Sequence, residues 1–287
     1  MNLGWQPDRG IGLRWLIIAA WAGLSFTALF KPTLIAADLV RYLTLALMFL
    51  FALMHGARRY GWGGIGAYFV MAIVIANLFE NMSISSGFPF GNYQHTAAMG
   101  PKFLQVPLIV GPIFAVVGYL GWVLAGILLG DTQSERQPGI LLAQPLVAAF
   151  VTTSWDLCVD PIGGTLNRDW LWTEGGGYFG VPWLNYFGWM LTTWIFFQMF
   201  SIYLAAWGKP GRAPRSRAYW MQPVLFWTLI ALQFPLLSAI VPDATLRDPA
   251  GGAWRAADLL DTTALAAVFT MIFVAFLCMV LVHQPRR

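Results

Sequence analysis

Eight stretches of mainly apolar residues, at about 13–30, 35–54, 63–80, 105–129, 139–157, 182–207, 219–241 and 260–282, divide the chain. A helix needs about 20 such residues to cross the hydrocarbon core of a bilayer. A soluble core has no use for this much apolar surface, which aggregates unless lipid covers it. Only 10% of the residues are charged, against roughly 25% in soluble domains. The pattern predicts an all-α, polytopic transmembrane helical bundle of about eight spans. It forms a single integral-membrane domain over 1–287. Pro, Gly and charge clusters separate the spans, and three connections, 81–104, 158–181 and 242–259, are long. Re-entrant or irregular loops on the outer face are expected there.

The first apolar run ends in Lys31–Pro32 rather than in a small-residue cleavage site, so it reads as a retained first helix. Cys158 and Cys278 have no metal-type spacing and imply no disulfide framework. The net charge of +4 reflects arginines in connections, and nothing in the sequence is a nucleic-acid signature. With eight spans, Arg9, Arg14, Arg58, Arg59, Arg136, Lys209, Arg212, Arg215, Arg217, Arg286 and Arg287 share one side. The other side holds Lys31, Arg41, Lys102, Arg168, Arg247 and Arg255. Positive residues favour the inner face. Both termini are therefore expected in the cytoplasm, in a multi-pass protein of the cell (inner) membrane. Of the acids, only Asp8, Asp131 and Glu135 fall on that side. Such asymmetry points to a polar site near the outer face.

Two clusters carry that polarity. The first is "FENMSISSGFPFGNYQHT", residues 79–96, with Glu80, Asn81, Tyr93, Gln94 and His95. Gly87, Pro89 and Gly91 break it, so it is not a continuous helix. Irregular backbone at membrane depth is tolerated where it lines a cavity. The second runs over 152–189. Asp156 and Asp160 share a helix face there, and Pro161 with Gly163–Gly164 is expected to end the helix. Trp155, Trp170, Trp172, Trp183 and Trp189 suit a membrane–water interface, and Tyr178 and Asn185 lie nearby. Glu80 and Asp156 are expected at similar depth on one side, near helix C-termini. A carboxyl in such an apolar setting is a candidate proton donor.

Plainer roles exist for each residue. Acids near helix ends are commonly solvated, and tryptophans there are commonly anchors. His95 reads as a loop or hydrogen-bonding partner. Since His55 and His283 fall on the other side, no histidine metal site is expected. Asp38 and Arg41 read as an intrahelical pair. The sequence has no GxxxxGK[ST] loop, no GxGxxG in strand–helix context and no GxSxG elbow. The Asp156–Asp160 spacing could hold Mg²⁺ with a diphosphate, but the basic residues that clamp a diphosphate are absent around it. Lys31, Lys102 and Lys209 all fall in connections, which excludes a retinal Schiff base within a span.

The two clusters, with "SWDLCVDP" and "WLWTEGGGYFGVPWLNYFGW" in the second, resemble the carotenoid biosynthesis membrane protein family. Carotenoid 1,2-hydratases and bisanhydrobacterioruberin hydratases are the types in view. The resemblance is carried by residues 77–107 and 150–190. It implies addition of water to the terminal (1,2) double bond of an acyclic ψ-end group, with no cofactor and no metal. The partners implied are a lycopene-like or C50 polyene and membrane lipid; the oligomeric state is left open. Protonating an isolated alkene requires an acid and gives a tertiary carbocation, which a positioned water captures. Glu80, Asp156 and Asp160 are the expected catalytic groups. Asp156 is slightly favoured as donor because Asp160 stands one turn away, and neighbouring carboxyls resist ionising together. Asn81, Tyr93, Gln94, His95, Trp155, Tyr178, Asn185 and Trp189 are the expected substrate-binding shell. The same protonation without water would give an isomerase or cyclase. A non-enzymatic carotenoid carrier would need no acid at all.

Overall fold

The computed structural model describes residues 10–130, 139–207, 214 and 216–284. Asp8, Arg9, Asp131, Glu135, Arg136, Lys209, Arg212, Arg215, Arg286 and Arg287, used above for orientation, lie outside the described residues. Helices dominate: α1 Ile11–Phe30, α2 Ala37–Ser86, α3 Val110–Leu128, α4 Ile140–Pro161, α5 Trp183–Trp207, α6 Arg217–Ile240, α7 Ala256–Ala266 and α8 Phe273–His283. A wide π-type turn at 267–272 joins α7 to α8. Among the described residues, seven helical runs are long and apolar enough to cross a membrane.

Helix α2 accounts for the eighth expected span. Gly61 interrupts it with φ 71° and ψ 167°, a region essentially reserved for glycine. The aromatic rings of Phe49 and Phe69 lie 4.3 Å apart. In a straight helix, 20 residues would separate them by about 30 Å. The two legs of α2 therefore fold back on each other, which gives eight helical legs among the described residues.

Helix α3 sits at the centre, buried along nearly its whole length, as expected of a helix that is apolar all round. It packs against both neighbours in sequence, α2 and α4, and also contacts α6 and α8. At the far end of the bundle polar side chains bond one another, as where Arg14 Nε donates to Gln222 Oε1 at 2.8 Å. His55 is buried, stacks on Tyr219 at 3.9 Å and bonds the Tyr119 hydroxyl at 2.6 Å. It serves packing there, away from the polar clusters.

Two features differ from the sequence expectation. Pro161 is the last residue of α4, as expected, but the glycine pair after it does not break the helical run, which continues through a π turn at Ile162–Leu166. The Asn167 N–H reaches the Ile162 carbonyl five residues back, at 2.8 Å. Proline supplies no N–H, and the side-chain-free pair Gly163–Gly164 lets the turn widen beneath two indoles. A Cβ on Gly163 would lie 2.2 Å from the Trp170 ring. Arg41 also departs from its expected role. Its guanidinium crosses to Asp169 at 2.9 Å and donates to the Ala98 carbonyl, tying α2 to both long loops.

Candidate active site

The first polar loop is folded back onto the helix it leaves. Gly87 caps α2 in a left-handed conformation, its N–H bonding the Ser83 carbonyl at 2.7 Å. The Ser83 hydroxyl donates to the Gly91 carbonyl and accepts the Phe90 N–H. The chain thereby reverses, and strand β1 (Tyr93–His95) runs back toward Glu80. Along a strand, alternate side chains share a face. Tyr93 and His95 point inward and are buried, while Gln94 between them is exposed.

Strands β2 (Lys102–Phe103) and β3 (Val106–Pro107) make a small hairpin further along the same loop. Strand β4 (Trp170–Trp172) pairs antiparallel with β1 and brings in the second cluster. Tyr93 stands opposite Trp172, and His95 opposite Trp170. A second ribbon, β5 (Thr245–Arg247) with β6 (Ala253–Arg255), closes the remaining long connection. The two distant motifs thus become one cap over the helix ends.

Beneath this cap lies a cavity of about 480 Å³. Glu80, Asp156 and Asp160 all line it, together with Tyr93, His95, Asn185, Trp155 and Trp189. The carboxyls are at most 5% exposed. Glu80 Oε2 accepts a hydrogen bond from the Tyr93 hydroxyl and lies 3.2 Å from His95 Nε2. The Asn185 amide donates to Asp156 Oδ2 at 3.1 Å and to Asp160 Oδ2, bridging the two aspartates. Asp156 Oδ1 is buried with no partner among the described residues. Burial, followed by the neighbouring Glu80 carboxylate, holds the Tyr93 phenol well above its ordinary pKa. Tyr93 therefore stays neutral and donates.

The rest of the cavity wall is mostly apolar. Phe114 from α3 stacks face to face on Trp189 with centroids 3.7 Å apart, and Trp155 meets Trp189 edge-on at 5.7 Å. Three expected binding residues stand elsewhere. Asn81 accepts the Gln105 N–H and donates to the Asn77 carbonyl, fastening loop to helix. Gln94 faces outward. Tyr178 donates to the Leu157 carbonyl, and burial pushes its pKa up to about 12. None of these three lines the cavity. Of the interfacial tryptophans, Trp183 is 71% exposed, whereas Trp170 and Trp172 line the cavity.

Sequence reasoning also missed lining residues. Phe114 gave no signal, being one apolar residue among many in a span. Asn167 and Asp169 line the cavity too, and within the second cluster no spacing marks them out. The period-2 spacing of Trp170 and Trp172 was a strand signal. Among the described residues, no three His, Cys, Asp or Glu side chains are grouped as a metal site.

Fold and cavity define an all-helical membrane protein with an acidic pocket at one end of an apolar cavity. The chain belongs to the carotenoid biosynthesis protein family, which it matches over residues 38–246, well over half its length. It is also similar to a bisanhydrobacterioruberin hydratase of Haloarcula japonica, with 28% identity over 127 residues. That match covers 42% of this chain and 41% of the relative, less than half of either. No solved structure matches the chain.

Proposed function

We propose that the protein is a carotenoid hydratase, adding water across the terminal 1,2 double bond of an acyclic ψ-end group. The observation that carries this reading is the composition of one cavity: three carboxyl side chains at the end of an otherwise apolar space. A polyene is dissolved in lipid and must bring its end to an acid, and water must meet it there. One of Glu80 and Asp156 transfers its proton to C2 of the alkene, leaving a tertiary cation at C1. Water adds at C1, and the other carboxylate takes the proton that this water loses. Asn185 holds Asp156 and Asp160 in place, and Tyr93 and His95 hold Glu80. The faces of Trp155, Trp189 and Phe114 suit stabilisation of the cation by cation–π attraction. The step is redox-neutral and needs no cofactor.

In this reading the capped end faces outward, both termini are cytoplasmic, and the protein lies in the cell membrane as one domain. The relative's printed hydratase name and the family membership support the chemistry. The test is expression in a lycopene-producing bacterium with mass analysis of the pigments. A gain of one water is expected. Unchanged mass with a shifted spectrum would replace hydration by isomerisation or cyclisation. Pigment retained without chemical change would make the protein a carrier.

A further inference from the structure

The apolar arm of the cavity is not uniformly apolar. Away from the carboxyls it is walled by α1, the first leg of α2, and α6. Four polar side chains among the described residues stand on this wall: Ser25, Arg41, Thr44 and Gln233, and Arg41 is paired with Asp169 and the Ala98 carbonyl. Ser25 lies five residues before the end of α1, Thr44 seven after the start of α2, and Gln233 seven before the end of α6. At 1.5 Å rise per residue, Ser25, Thr44 and Gln233 lie about 8–11 Å inside the same end of the bundle.

Thr44 spends its hydroxyl on its own helix, donating to the Val40 carbonyl at 2.7 Å. The other two differ. Ser25 is only 7% exposed, yet neither its hydroxyl nor the Gln233 amide appears in any hydrogen bond with another described residue. Neither is sealed among apolar atoms either, since both line the cavity. A serine in a helix ordinarily bonds the carbonyl a turn earlier. An amide at this depth in hydrocarbon is costly unless a partner meets it. Packing gives no reason for either group. Nearby on the α1–α6 seam, Trp21 and Phe226 pack edge-to-face at 4.9 Å.

We propose that Ser25 and Gln233 form a second polar subsite that takes an uncharged O–H group. Serine and glutamine each offer a donor and an acceptor and no charge, which matches a hydroxyl and disfavours an ion. The group is either a hydroxyl carried by the polyene near its reacting end or an ordered water. The inference rests on the reading of the cavity as a polyene site, and its water arm on hydration there.

Binding and hydration, read side by side, test it. The full chain in lipid nanodiscs is loaded with an acyclic polyene hydrocarbon, or with the same chain bearing one tertiary hydroxyl at its end. Ser25→Ala and Gln233→Leu are compared with wild type, with Ser25→Thr as the variant that keeps the hydroxyl. If the subsite takes the polyene's hydroxyl, each deletion weakens the hydroxylated ligand about tenfold and leaves the hydrocarbon unchanged, and Ser25→Thr restores binding. If it holds water, both ligands bind all proteins alike and only hydration slows in the deletions. Unchanged binding and unchanged hydration in both deletions would overturn the subsite. Failure of the hydratase reading would appear separately, as wild type that binds polyene and forms no hydrated product.

Discussion

Replacing Asn185 by leucine tests the centre of the proposed site. Asn185 is 2% exposed, and its amide donates to both Asp156 and Asp160. Leucine fills similar space and donates nothing. Asp156 would then have both oxygens without a partner, because Oδ1 already lacks one among the described residues. Each buried polar group left unpaired costs about 1–3 kcal/mol, more if charged. Two together cost about 2–6 kcal/mol, a large share of a typical folding stability of about 5–15 kcal/mol. Asn185→Leu should therefore lower the melting temperature in detergent, read by tryptophan fluorescence, and abolish hydration in the lycopene-producing host. Adding Asp160→Asn removes one orphaned carboxyl and returns an amide beside Asp156. The double variant should regain part of the stability, and that non-additivity is the signature of a shared network. An Asn185→Leu protein with unchanged melting and wild-type hydration would refute the bridging role.

Glu80→Gln and Asp156→Asn should each lower hydration by roughly 10²–10⁴-fold while insertion and pigment binding persist; wild-type rates in both would move the site elsewhere. Asp38→Asn, at a position outside the cavity lining, should leave turnover unchanged. Tyr93 should show no phenolate absorbance near its ordinary pKa of about 10, judged by the difference between wild type and Tyr93→Phe. Because its folded pKa is raised, its contribution to stability is full below about pH 10 and is lost as pH rises through the folded value. Gly61→Val should cost about 1–3 kcal/mol through backbone strain at the α2 reversal. It should lower folded yield without changing turnover per folded molecule; loss of turnover per folded molecule would mean that strain at the reversal is transmitted to Glu80. Cysteines at Gly176 and Gly211 should label from opposite sides of the membrane, and equal labelling from one side would end the eight-span topology.

The sequence alone determined the class of fold. Runs of about 20 apolar residues cannot do otherwise than span, because a backbone in lipid must satisfy its own hydrogen bonds. It also marked the two clusters, since polar groups are so sparse in the spans that any concentration stands out. Even the two-legged α2 was legible, through charge and glycine near residue 61. Which cluster residues face one cavity was decided by tertiary structure. Glu80 meets Tyr93 and His95 because Ser83 and Gly87 turn the loop back, and because a strand alternates its faces. That alternation points Gln94 outward, although it sits between two residues that point inward. Asn81 and Tyr178 looked like site residues by proximity in sequence, but their hydrogen bonds go to backbone. Pro161 ends α4, as its proline ring suggests, but the glycines after it, beneath the Trp170 indole, carry the chain on through a wide turn. Phe114, Ser25 and Gln233 lie far along the chain from either cluster. Only the packing of α1, α3 and α6 around one cavity places them on its wall, and no local pattern encodes which neighbour a helix face will meet.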